Sequence, residues 1–215
     1  MTLILALDTT SAHCAVALVR DGSVVASETR EMSKGQAEHL VPIMHEVLRG
    51  AKVSLKELDA IAVATGPGNF TGVRICVSTA RGLALALKIP AIGVSVMEAL
   101  AYKQTHPTLS IVDARAGMIY TQLFQDGTAL SVPKHLFPKD LQDPGLSDLH
   151  CAGFKADHFA TLLGASTYET ALPSPETYAF VAASRDWSET PRPTPLYIRN
   201  ADAALPSEPA PHIIS

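Results

Sequence analysis

The sequence predicts an α/β protein whose two related halves each carry a mixed sheet flanked by helices. Three observations predict it. The first hundred residues alternate short apolar runs of strand length with two segments of helical periodicity. A glycine break, Gly66-Pro67-Gly68, stands between one of those strands and a long apolar helix. A set of features also recurs at an offset of 105 residues, where Asp8 returns as Asp113 and Asp21-Gly22 as Asp126-Gly127.

Leu3 to Leu7 reads as a strand ending at Asp8, Cys14 to Val19 as a second and Val24 to Glu28 as a third. Asp21-Gly22 joins the last two as a tight hairpin turn. Ala37, Leu40, Val41, Met44, Val47, Leu48 and Ala51 fall at helical spacing. Pro42 fits best in a first turn, so the regular helix starts near Leu40 or is kinked there. Ser54-Leu-Lys-Glu57 has the form of a capping box before the strand Ala60 to Thr65. Asn69 or Thr71 can then cap a helix running to about Leu87, followed by a strand at Pro90 to Val94.

In the central helix, from Val73 to Leu87, only Arg74, Ser78, Thr79 and Arg81 are polar. Gly72, Cys76, Ala80 and Ala84 recur every fourth residue and make one side smooth, so another backbone can come close there. The second half repeats the pattern faintly. Ser110 to Val112 matches Leu5 to Leu7, Ile119 to Phe124 matches Cys14 to Val19, and Leu149 to Gly153 answers Ala60 to Gly66 with no small-residue helix after it.

At 215 residues with 47% hydrophobic content, the chain supports one large domain or two small ones. A net charge of −4 excludes the bulk signature of a protein that grips nucleic acid unaided. Cys14, Cys76 and Cys151 are odd in number and set in apolar runs, as buried thiols of a reducing cytosol are. The N-terminal run reaches Asp8 too soon for a signal peptide, and Arg81 and Lys88 interrupt the longest apolar stretch, so no membrane span is expected.

Tests for catalytic chemistry find little. Asp8-Thr-Thr-Ser11 reads either as a phosphate or metal corner or as a turn that satisfies its own backbone. The glycines at 66, 68 and 72 match neither a Walker A loop nor a dinucleotide fingerprint, although N–H groups at the helix start can receive an anion. His45-Glu46 lacks a second zinc ligand, since Arg49 stands four residues on.

Ile4-Leu-Ala-Leu-Asp-Thr-Thr-Ser11, Ala64-Thr-Gly-Pro-Gly-Asn-Phe-Thr-Gly-Val-Arg74, Ala80-Arg-Gly-Leu-Ala84, Asp113-Ala-Arg-Ala-Gly117 and Pro195-Leu-Tyr-Ile-Arg199 closely resemble the TsaB family. That family supplies the dimerisation subunit of the bacterial tRNA threonylcarbamoyladenosine machinery, and the likeness runs from about residue 3 to 200. It implies an actin-like, sugar-kinase-like ATPase fold of the ribonuclease H-like type. The implied division is an N-terminal subdomain over 1–103, a smaller degenerate one over 104–200 and a loose Pro-rich tail over 201–215. It also implies work with a TsaD-like catalytic paralogue and a TsaE-like ATPase, attaching a threonylcarbamoyl group to the adenosine next to the tRNA anticodon. TsaD-like proteins carry Gly-Val-Asn-His-Met-Glu-Gly-His after the shared helix, with two metal-binding histidines. Here the stretch reads Gly93-Val-Ser-Val-Met-Glu-Ala-Leu100, and Val96 and Leu100 have no lone pair to offer.

The resemblance therefore implies a noncatalytic, cytoplasmic subunit with no metal or nucleotide cofactor of its own. It pairs with itself when alone and meets tRNA only through the complex. The expected partner face is Leu40, Met44 and Val47 on the first helix with Val73, Cys76, Val77, Ala80, Leu83 and Ala84 on the second, closing a four-helix bundle. The alternative is that both helices pack only into their own sheet. Asp8, Thr9, Thr10, Gly66, Gly68 and Asn69 are the candidates for a vestigial nucleotide or anion loop. A rival function is a nucleotide-dependent phosphotransferase using Asp8 and that loop; a metallopeptidase has almost nothing behind it.

Overall fold

Three strands open the chain: β1 (Leu3–Asp8), β2 (His13–Arg20) and β3 (Ser23–Glu31). The structure, a computed structural model, describes residues 1–168 and 172–198. Asp21 and Gly22 take φ of 46° and 77°, the left-handed pair that a two-residue hairpin needs to match strand twist. Next come α1 (Gln36–Gly50), β4 (Ala60–Ala64), α2 (Phe70–Leu87), β5 (Ala91–Val94) and α3 (Val96–Leu100). The five strands form one sheet in the order β3-β2-β1-β4-β5. β2 runs antiparallel to β1 and β3, whereas β1, β4 and β5 are parallel.

The strands' period of two sorts this sheet into two cores. Leu3, Leu5 and Leu7 of β1, with Ile61 and Val63 of β4, face α1 and α2. Ile4 and Ala6, with Ala60, Ala62 and Ala64, face the opposite side. Alanines there leave room for a helix to sit close, and α5 (Pro175–Ala183) takes that place with Tyr178 fully buried.

Between them the second half supplies β6 (Thr108–Asp113), β7 (Ile119–Gln125), β8 (Thr128–Ala129), β9 (Lys134–Leu136), β10 (His150–Gly153), α4 (Ala156–Leu163) and β11 (Ser166–Thr167). Its sheet has the order β11-β10-β6-β7-β8, with β9 also on β7. Counted from its own first strand, this is the order of the first sheet, with β6, β10 and β11 parallel and β7 antiparallel. β1 and β6 share the 105-residue offset at both ends, and Asp126 and Gly127 repeat the turn with φ of 48° and 74°. The copy lacks a counterpart of α1, where it has β9 and a short turn at Pro138–Asp140, and α4 has 8 residues against 18 in α2.

Several expectations need correction. α1 starts at Gln36, so Pro42 lies inside it. Pro42 is on the exposed side, where solvent can serve the Glu38 carbonyl that its missing N–H leaves free. By length and composition α2 is apolar enough to cross a bilayer, its two arginines notwithstanding. In the fold its inner face closes on the sheet through Val73, Cys76, Val77, Ala80 and Ala84, as in a core helix. β5 ends at Val94 and β6 starts at Thr108, and α5, late in the chain, covers the first sheet. Arg199 of the Pro195–Arg199 motif, the last residues of the 104–200 unit and the 201–215 tail lie outside the described residues.

Candidate functional site

The two sheets face each other across a cleft of about 1130 Å³. The carboxyl ends of four parallel strands lead to it. Thr10 follows β1, Gly68 and Asn69 follow β4, Ala114 and Arg115 follow β6, and Phe154 and Lys155 follow β10. This is where open α/β sheets place ligands, because loops there splay apart and strand ends present backbone groups.

Asp8 does not line this cleft. It is 2% exposed and fully engaged inside the first half. Its Oδ1 accepts from the Thr10 N–H at 2.7 Å. Its Oδ2 lies 3.0 Å from His13 Nε2 and accepts the Tyr178 hydroxyl at 3.1 Å. Burial pushes the Asp8 carboxyl up, but the His13 hydrogen bond and charge, with the Thr10 N–H, outweigh it and leave the group below its ordinary value. Burial likewise pushes His13 down, and the Asp8 carboxylate more than reverses this. Tyr178 is pushed well up, first by burial and then by the same carboxylate. The Asp8 corner is thus the turn reading of the sequence, with α5 tied to it. In the second half Asp113 makes the same turn, accepting from the Arg115 N–H at 3.1 Å, but is exposed to the cleft.

The glycine loop is a clamp. A Cβ on Gly68 would fall 2.2 Å from the Thr10 carbonyl oxygen, and one on Gly72 would fall 1.9 Å from that of Thr9. Only glycine lets these backbones approach so closely. Asn69 donates its N–H to the Thr10 carbonyl, and its side chain accepts from the N–H groups of Thr71 and Gly72. Thr9 donates its hydroxyl to the Gly72 carbonyl at 2.6 Å, and Gly66, at φ 90°, accepts from the Val96 N–H. Three of the N–H groups at the helix start, those of Asn69, Thr71 and Gly72, are therefore taken by the chain itself.

The proposed partner residues are also engaged. Leu40, Met44, Val47, Val73, Cys76, Val77, Ala80 and Ala84 are buried in the chain's own core, and Leu83 is half-buried against it. The smooth stripe meets the end of β1, with the Cys76 thiol 3.1 Å from the Leu7 carbonyl oxygen. Leu83 apart, these side chains face into the chain itself. The face that α1 and α2 leave open carries Val41, Ser78, Gly82, Leu85 and Ala86. Burial raises the thiols of Cys14 and Cys151 to about 11, and that of Cys76 well above its ordinary value, so all three stay protonated.

Sequence reasoning missed most of the cleft. Arg74 lies over the Phe70 ring, 3.7 Å from its centre, and donates to the Tyr197 hydroxyl at 2.8 Å. Leu196 donates its N–H to the Thr65 carbonyl, so the chain after α5 returns to form one wall. Tyr197 belongs to the Pro195–Arg199 stretch, whose family likeness assigns it no role. Val96 lines the same cleft, and Leu100 is buried beside β6, both apolar as their side chains require.

A repeated β3-β2-β1-β4-β5 sheet with a cleft at the strand ends defines an actin-like, sugar-kinase-like fold. The family model described as TsaD: tRNA N6-adenosine threonylcarbamoyltransferase matches residues 23–183. The tRNA threonylcarbamoyladenosine biosynthesis protein TsaB of Bacillus subtilis is 38% identical over 125 residues, 57% of this chain and 55% of that protein. An uncharacterized protein of Mycobacterium leprae is 35% identical over 208 residues; the chain spans 56% of its length. The solved structure of YeaZ from Pseudomonas aeruginosa superposes with a TM-score of 0.75 at 28% identity, over 92% of this chain and 100% of that one. The chain belongs to the TsaB family, within the wider TsaD-type family.

Proposed function

We propose that the chain serves tRNA threonylcarbamoyladenosine biosynthesis as a noncatalytic subunit. In this reading it pairs with a TsaD-like catalytic paralogue and acts together with a TsaE-like ATPase in the cytoplasm. The observation that carries the reading is the open face of α2. Ser78, Gly82 and Ala86 repeat every fourth residue along it, and Leu85 beside them is 77% exposed. Val41 on the neighbouring α1 is 42% exposed. A solvent-facing helix with small and apolar residues in register suits close packing against a partner helix pair. Without the paralogue the same face pairs with its own copy.

A noncatalytic role is supported by Val96 and Leu100, which stand where the catalytic paralogues carry histidines, and by the full engagement of Asp8. With a net charge of −4, the chain meets tRNA through its partners. Light scattering after gel filtration, with and without the paralogue, tests the pairing. Leu85→Asp should leave the circular dichroism spectrum unchanged and abolish both assemblies, together with tRNA modification in the reconstituted mixture. A folded Leu85→Asp variant that assembles and supports modification like the wild type would place the interface elsewhere.

A further inference from the structure

We propose that a small cavity at the start of the first sheet binds a methylated ammonium group between the Trp187 ring and the Asp21 carboxylate. The cavity has a volume of about 200 Å³ and lies where β1 begins, between the β2–β3 turn and the end of α5. That is the opposite end of β1 from the cleft. Ile4, Val19 and Ala183 give it apolar walls, and Thr2, Asp21 and Trp187 stand beside them. Among the described residues that line it, only Asp21 is charged. The space is too small for a nucleotide-sized molecule but ample for a compact head group.

Both recognition groups are held in place. The Asp21 N–H donates to the Thr2 carbonyl at 2.9 Å, and Asp21 Oδ1 accepts the Thr2 N–H at 2.6 Å. This ring of two bonds fixes the carboxylate and leaves Oδ2 without a hydrogen bond or ion pair among the described residues. Trp187 Nε1 donates to the Ala182 carbonyl at 2.8 Å, so the polar edge of the indole is engaged and its apolar π surface is what remains for the cavity. The quadrupole of an aromatic ring attracts a cation, most strongly in tryptophan, and the carboxylate adds its charge. The apolar walls leave the three N–H donors of a primary ammonium short of acceptors, whereas methyl groups match them.

Trp187 is the chain's single tryptophan, so its fluorescence reports on this cavity. No partner subunit is required, and failure here leaves the pairing reading untouched. Titration of the full chain with choline should change that emission saturably, with half-saturation at roughly 10 mM or below. Neohexanol, the uncharged carbon isostere of choline, and methylammonium, which has a single methyl group, should each bind at least about tenfold more weakly. A peptide carrying trimethyllysine has the same head group; binding tighter than choline marks a protein-borne source and weaker binding a free one, both within the proposal. Asp21→Asn keeps the turn at φ 46°, because asparagine tolerates that conformation and its Oδ1 can still accept from Thr2. It should weaken choline about tenfold, and Asp126→Asn in the matching turn of the second half should not. Ala183→Leu, at the exposed end of α5, fills the cavity and should abolish the response without lowering the melting temperature. No saturable change up to roughly 100 mM choline, neohexanol equal to choline, or wild-type affinity in Asp21→Asn or in a folded Ala183→Leu overturns the proposal.

Discussion

Gly82→Arg separates folding from assembly at one position. Gly82 is exposed in the middle of α2, and a Cβ built there meets no atom within 4 Å. A mid-helix glycine costs about 0.5–1 kcal/mol relative to a residue with a side chain, because it loses more backbone freedom on folding. The arginine variant should therefore be as stable as the wild type or more so. With about 2–4 °C of melting temperature per kcal/mol at this chain length, the gain is roughly 1–4 °C. Against a partner helix the same side chain fills the space that Ser78, Gly82 and Ala86 leave open and brings an uncompensated charge into the contact. Burying an unpaired charge costs about 3–5 kcal/mol, which weakens assembly by more than about a hundredfold. Thermal melts read the first effect, and light scattering with and without the paralogue reads the second. A variant that melts well below the wild type refutes the geometry around Gly82. One that melts at or above it yet assembles normally refutes the interface.

Gly72→Ala should behave in the opposite way, because its Cβ would lie 1.9 Å from the Thr9 carbonyl oxygen; α2 must move off the sheet, and a melting temperature within a degree of wild type would contradict the clamp. Tyr178→Phe removes the hydroxyl that ties α5 to Asp8 and should cost about 1–2 kcal/mol in urea unfolding, with the spectrum of the folded state unchanged. The Asp8–His13 pair should make stability depend on pH. The carboxylate's contribution is present above its ordinary value of 3.8 and is lost as pH falls through its lowered folded value. The imidazole's is present below its ordinary value of 6.5 and is lost as pH rises through its raised folded value. The stability difference between wild type and His13→Gln should thus be largest between those two values and shrink as pH rises through the raised folded value of His13; a constant difference would show that the pair is not charged in the folded chain.

Local chemistry made much of the fold legible in the sequence. The Asp21-Gly22 and Asp126-Gly127 turns, the strands that end at Asp8 and Asp113, and the cap at Asn69 each depend on neighbours within a few residues, and each is where the pattern placed it. The 105-residue offset carried the duplication as well, because it reports on order along the chain. Periodicity gave the smooth stripe of α2 too, and with it the need for something to come close. What came close was decided by tertiary structure. A stripe of Gly72, Cys76, Ala80 and Ala84 fits a partner helix or a strand of its own sheet equally well, and only the fold puts the end of β1 there. The cleft was hidden for a similar reason. Arg74, Arg115, Lys155 and Tyr197 share it across 123 positions of sequence, with no common spacing or motif. Asp8 likewise finds Tyr178 only because α5 crosses back to the alanine-lined face of the first sheet. Turns and helix faces are fixed by bonds a few residues long, whereas a cleft is fixed by which distant strand ends the closed sheets bring together.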